Sequence, residues 1–324
     1  MEFLRSVLAQ DEAITPSTRV TYDLPVNPLS HILFTLRFLN NTATLTDYSL
    51  VCRAFDQITN ISVEFKGSAI VSMNFRDLAM YSQVLLRQPI GQNNFIPNDN
   101  AARAITVVIP FGRQLFNPDE CFPAVRRGDL RLVIDYAEAQ TGIDTLRAQI
   151  ETVELPGAAP KQFLKATTSS KTLTSGVGND IDLPIGNPII GILMFGTTTP
   201  ILDSSIATLS KIKLLVDNVE AYYSECNWDT LHNELYRRFP WTPTNEATTH
   251  GYNGDATGYN STLEQEDLYT LCKNYAYLDF DPNINGAFAL ATEGRSRVHL
   301  RITAEKSDEA RIIPVEFMQI AATA

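Results

Sequence analysis

The feature that most constrains this chain is that it repeats itself. Asp23-Leu24-Pro25-Val26-Asn27-Pro28 leads into Leu29-Ser30-His31-Ile32-Leu33, and Asp182-Leu183-Pro184-Ile185-Gly186-Asn187-Pro188 leads into Ile189-Ile190-Gly191-Ile192-Leu193. One inserted glycine brings DLP, NP and IL into alignment. A second match follows in the same order, Asn74-Phe75-Arg76-Asp77-Leu78 against Asn227-Trp228-Asp229-Thr230-Leu231. A third, weaker one sets 128–134 against 297–302. Each match is thin alone. Three in one order, at similar intervals, point to two tandem copies of one domain of about 140–150 residues.

Local patterns give the class of that domain. Runs rich in β-branched and aromatic residues recur at 31–39, 61–65, 104–111, 129–136 and 151–155. They recur again at 188–196, 211–218, 219–225, 275–280, 288–292, 297–303 and 311–320. Only 75–87 and 228–238 read as helices. Each follows two short strands joined by a turn, Lys66-Gly67 or Asp217-Asn218, and each starts after an asparagine suited to capping. Asp77 and Asp229 add negative charge in the first turn, where the helix dipole favours it. Many short strands and few helices argue for antiparallel sandwiches or barrels. Phe3, Leu4, Val7 and Leu8 fall at helical spacing, so residues 1–18 read as an arm that opens with a short amphipathic helix. Residues 156–180 are small and hydroxylated and read as a linker. The domains expected are therefore 19–155 and 181–324.

Composition narrows the function classes. The net charge of −11, with no basic run, argues against direct nucleic-acid binding. The most apolar stretch, 183–195, is interrupted by prolines and glycines and is too short to span a membrane. Residues 1–10 do not read as a secretory signal. Cys52, Cys121, Cys226 and Cys272 share no CxxC spacing, and His31, His232, His250 and His299 form no metal-binding pair. Nucleotide-cradling and hydrolase motifs are absent. The reading is that the chain has no catalytic residues, cofactor or metal. Asp281-Pro282-Asn283-Ile284-Asn285-Gly286 resembles the start of a calcium loop, but position 12 is Thr292, and a turn between strands is expected there.

Two tandem all-β domains, each with a capped helix after strand–turn–strand, resemble the double jelly-roll major capsid proteins of tailless icosahedral viruses, the lineage of adenovirus hexon and the internal-membrane phages. The resemblance is carried by DLPVNPLSHILFTLRF, by ITNISVEFKGSAIVSMNFRDLAMYSQVLL, by IPFGRQLFNPDECFPAVRRGDLRLVIDY, and by the second copy from Asp182. It covers residues 19–320. It implies two eight-stranded jelly rolls with a short helix in each. It also implies a structural role, in homotrimers whose six rolls form a pseudo-hexagonal capsomer that tiles a virion shell. The implied partners are further copies of the chain, minor capsid or penton proteins, and an internal membrane beneath the shell. No contact with nucleic acid is expected, and the chain would be made in the host cytoplasm.

A structural role moves the search for sites from a pocket to the edges. The N-terminal Phe3, Leu4, Val7 and Leu8 are candidate interface residues. Tyr252 and Tyr259, in a loop rich in Gly, Asn and Tyr, are candidates for a recognition surface. A carbohydrate- or receptor-binding tandem β-sandwich is the alternative, and exposed aromatics at 252–259 would be its feature. A bicupin enzyme is a further alternative, but it would need paired histidines that neither half supplies.

Overall fold

A computed structural model describes residues 2–41, 54–88, 90–93, 102–140, 142–198, 207–235, 238, 272 and 274–320. The chain divides into two units, and the boundary between their strands falls at Phe163 and Leu164.

The first unit holds β1 (Leu4–Ala13), β2 (Arg19–Asp23), β3 (Leu29–Asn40), β4 (Ile58–Phe65), β5 (Ser68–Met73), helix α1 (Phe75–Leu86), β6 (Gly91–Asn93), β7 (Ala102–Pro110), β8 (Leu130–Tyr136) and β9 (Ile143–Glu154). Its strands order as β1-β9-β3-β7-β6 and as β2-β8-β4-β5, with antiparallel neighbours. With β6 set aside as an addition on one edge, first, eighth, third and sixth strands form one layer, and second, seventh, fourth and fifth the other. That is a jelly roll. Period-two burial builds its core: Ile32, Phe34, Leu36 and Phe38 of β3 and Ile105, Val107 and Ile109 of β7 are buried, while Leu33, Thr35, Val108 and Thr106 alternate to the other face. Each fully buried aliphatic or aromatic side chain contributes about 2 kcal/mol.

The second unit holds β10 (Gln162–Thr167), β11 (Ser169–Thr172), β12 (Gly178–Asp182), β13 (Ile189–Gly196), β14 (Lys211–Val216), β15 (Val219–Glu220), β16 (Cys226–Asn227), helix α2 (Trp228–Leu235), β17 (Tyr275–Asp279), β18 (Val298–Thr303) and β19 (Glu309–Gln319). Its orders are β17-β13-β19-β10 and β12-β18-β14-β15. This is the same jelly-roll order, with β11 as a second strand on β19 and β16 on the start of β14. Ile192, Met194, Ile212, Leu214, Leu278, Leu300, Ile302 and Ile312 form its core, closed by Trp228 and Leu231 of α2.

The sequence repeat proves to be one corner built twice. Leu24 N–H donates to the Leu130 carbonyl at 3.0 Å, and Leu183 N–H to that of Val298 at 2.8 Å. Leu29 exchanges two backbone hydrogen bonds with Phe122, and Ile189 exchanges two with Leu290. Asn27 Nδ2 donates to Glu154 Oε2 at 2.8 Å, and Asn187 Nδ2 to Glu316 Oε2 at 3.1 Å. The hairpin turns also match. Lys66-Gly67 and Asp217-Asn218 are pairs of positive-φ residues, and Lys66 and Asp217 donate to the carbonyls of Asp129 and Arg297. The first helix is capped as read, by Asn74 Oδ1 accepting from Asp77 N–H at 2.7 Å.

Two expectations are corrected. The N-terminal segment is not a helical arm: Leu4–Ala13 is a strand on β9, and it supplies the first strand of the first roll. Its pairing shifts register between Val7 and Ala9 and again between Ala9 and Glu12. Leu4–Val7 pairs in regular register, so the helix-like spacing arises because this edge strand carries apolar residues on both of its faces. The stretch 156–180 is not a linker either. It contains β10, β11 and the start of β12, so the second roll begins near 162 rather than 181. Its strand signal is weak because β11 is Ser-Ser-Lys-Thr, exposed along its whole length.

Candidate assembly surfaces

Several exposed apolar residues lie at two sheet edges, while Val26, Val177, Ile185 and Phe288 stand on turns and loops elsewhere. On β1, which ends its strand order, Leu4 and Val7 are exposed, Val7 by 54%, while Leu8 is partly covered. Just before it, Phe3 is 62% exposed and packs edge-on against Phe116, with ring centroids 5.4 Å apart. Phe116 in turn caps the buried ring of His31 at 5.2 Å. Ser30 Oγ ties this stack together: it accepts from Phe116 N–H at 2.8 Å and lies 3.0 Å from His31 Nδ1. Burial, and secondarily the Arg5 charge, lower the His31 pKa to about 4. Arg5 forms a hydrogen-bonded ion pair with Glu151, which holds that carboxyl below its ordinary range.

Register extends this edge into a face. Val7 lies opposite Glu151, Glu151 opposite Leu33, and Leu33 opposite Val108, one row across β1, β9, β3 and β7. Arg37 and Arg147 flank the row, both paired with Asp11. The row thus mixes Val7, Leu33 and Val108 with the Glu151 carboxylate that Arg5 pairs.

The second roll has its own exposed apolar edge. Val219 of β15 is 68% exposed, and Tyr222, at φ +61°, is 58% exposed with its ring edge-on to Phe280 at 5.3 Å. Between them Glu220 accepts from Lys213 Nζ at 3.0 Å and Ser224 Oγ at 2.7 Å. The sequence reading missed these residues because it took 219–225 as a continuous strand; only Val219–Glu220 is one. The Asp217-Asn218 turn was the available signal that an edge hairpin follows.

On the adjoining strands Asp180 takes both Nε and Nη2 of Arg301, at 2.6 and 2.8 Å, and its carboxyl is held below the usual range by that pairing. His299 lies 3.7 Å away, fully covered, with neither ring nitrogen hydrogen-bonded. In the stretch that resembles a calcium loop, Asp281 Oδ1 accepts from the N–H groups of Asn285 and Gly286, as in a turn. Among the described residues no three His, Cys, Asp or Glu side chains converge as metal ligands, and Cys121 is a buried free thiol. Of the residues singled out from sequence, Phe3, Leu4, Val7 and Leu8 share one edge. Tyr252 and Tyr259 lie outside the described residues.

Comparison with solved structures places this architecture. Over its whole length the chain is similar to the STIV major capsid protein, at a TM-score of 0.66 and 14% identity, covering 100% of both chains. The structure of Sulfolobus Turreted Icosahedral Virus matches at a TM-score of 0.69 and 14% identity, over 98% of this chain and 91% of that one. The major capsid protein P2 of bacteriophage PM2 matches at 0.59 and 15% identity, over 99% of this chain and 100% of the other. No protein-family model matches the sequence, and no curated protein does. At these identities the likeness shows the fold: the chain is a double jelly roll of the kind found in viral major capsid proteins.

Proposed function

We propose that the chain is the major capsid protein of an icosahedral virus and that it acts by self-assembly. The observation that carries this reading is coverage. The likeness to the STIV and PM2 major capsid proteins takes in both rolls and essentially the full length of each chain, so the size of the unit agrees as well as its fold.

Two similar but unequal rolls suit a shell. Three copies bring six related units around an axis whose true symmetry is threefold, and such a trimer has a nearly hexagonal outline that tiles a facet. Exposed apolar residues on the edges of both rolls, rather than in a pocket, supply the contacts. The partners are further copies of the chain, with minor capsid or penton proteins where the lattice closes, and an internal membrane beneath. The chain's destination is the virion, after synthesis in the host cytoplasm. Negative-stain images of the purified protein test the reading. Hexagonal particles are expected, and uniform particles the size of a single chain would overturn it.

A further inference from the structure

Glu316 of β19 holds two groups that can react with each other. Lys165 Nζ donates to its Oε1 at 3.2 Å, and Asn187 Nδ2 donates to its Oε2 at 3.1 Å. β19 lies between β10, which carries Lys165, and β13, which Asn187 shortly precedes. One carboxylate therefore sets an amine beside a carboxamide. Glu316 is 2% exposed and stands opposite the fully buried Ile189, and the Lys165 side chain is 28% exposed. The corner that carries the carboxamide is itself fixed. Thr292, fully buried, accepts from Gly186 N–H at 3.0 Å and donates to the Asn187 carbonyl at 2.6 Å.

We propose that Lys165 and Asn187 join in an isopeptide bond, with Glu316 as the catalytic residue. Glu316 Oε1 takes a proton from Nζ, and the freed amine attacks Asn187 Cγ. The Nζ–Cγ bond forms and the Cγ–Nδ2 bond breaks. Nζ gives up two protons in all. Both pass through the carboxylate to the departing nitrogen, which leaves as ammonium, and Glu316 returns to its starting state. No oxidant or cofactor is consumed. Both contacts lie within the reach of a positioned acid–base group, and one oxygen faces the nucleophile while the other faces the leaving group. Holding amine and carboxamide on one carboxylate replaces a chance encounter with a fixed one.

The first roll supplies the contrast. Asn27 and Glu154 make the same contact, but the second oxygen accepts from Ser6 Oγ at 2.8 Å instead of an amine. A neutral hydroxyl is a weak nucleophile towards an amide, so that corner is held by hydrogen bonds alone. The structure shows both corners before any reaction. Closure in the second roll fastens β10 to the corner before β13, across β19, and is independent of assembly.

The folded full-length chain is kept at neutral pH, then unfolded, digested with trypsin and read by mass spectrometry. A branched peptide is expected, in which the segments carrying Lys165 and Asn187 are joined and together lighter by one ammonia, with no cleavage after Lys165. K165R, N187A and E316Q should each give separate linear peptides only, and the segment carrying Asn27 should stay linear throughout. E316Q keeps the shape of the side chain while removing its acid–base function, and circular dichroism shows whether it is folded. Separate linear peptides from the wild-type chain overturn the proposal whatever the variants do. A branched peptide from E316Q overturns the role given to Glu316.

Discussion

Asn27 Nδ2 reaches Glu154 Oε2 at 2.8 Å, joining the corner before β3 to the end of β9 across 127 residues of chain. Its counterpart joins Asn187 to Glu316. The two carboxylates are buried alike and differ in their second partner. Glu154 Oε1 accepts from Ser6 Oγ at 2.8 Å, whereas Glu316 Oε1 accepts from Lys165 Nζ at 3.2 Å. Removing either asparagine leaves a buried acceptor unsatisfied, so N27A and N187A should each cost about 1–3 kcal/mol. K165M should cost more, about 3 kcal/mol or above, because it leaves a buried carboxylate without its cation. S6A should cost the least. Chemical denaturation of the four variants checks the order.

Phe75 and Trp228 open the two helices, and the sequence pairs them. Phe75 is fully buried, with Phe34 and Phe55 at 5.4 and 5.3 Å; Trp228 is buried as well and stacks on His232 at 4.3 Å. F75A should cost about 3–5 kcal/mol, as large-to-small core changes do. W228A should cost a similar amount, about 3–5 kcal/mol, because its larger ring is buried in the second core. Midpoints of thermal unfolding check both.

Acid should weaken the fold through histidine. His31 is buried neutral with its pKa lowered to about 4, and burial likewise lowers that of His299, with Arg297 and Arg301 opposing its charge and Asp180 and Asp182 favouring it. A group whose folded pKa lies below its unfolded value binds more protons when unfolded. Its contribution is therefore full above about pH 6.5 and falls away as pH drops towards 4. Glu151 and Asp180 carry depressed pKa values, so their contributions begin to fade only below the ordinary carboxylate range, about pH 4 to 4.5. H31Q should flatten the loss of stability between pH 6.5 and 4. An unchanged slope would show that His31 does not couple folding to acid.

The hairpin turns offer a paired test of backbone strain. Gly67 sits at φ +83° with open space around the missing Cβ, so G67A should cost about 1–2 kcal/mol through conformation alone. Asn218 holds the matching position at φ +65°. N218G should be neutral or slightly stabilising. Denaturation midpoints of both variants decide it.

What was legible in the sequence follows from where its signals are local. The DLP and NP corner could be read because prolines fix both sides of one turn, and the helix starts because Asn74 and Asp77 lie within one turn of each other. The first strand could not, because an edge strand with apolar residues on both faces shows Leu4, Val7 and Leu8 at a spacing that matches a helix. β11 could not, because all four of its residues are polar and exposed. Glu154 and Glu316 could not be picked out among 37 acidic residues, since what distinguishes them is an asparagine more than a hundred positions away. The exposed apolar residues at the sheet edges were half legible. The β1 residues stand out as an apolar cluster, while Val219 and Tyr222 lie in a stretch whose pattern matches a buried strand.

The central claim is self-assembly into a threefold unit, and the mass of the particle in solution tests it most directly. Light scattering on the purified full-length chain, separated by size exclusion at neutral pH, should give three times the chain mass of 36.0 kDa. A single species at 36.0 kDa across a wide range of concentrations would contradict the account.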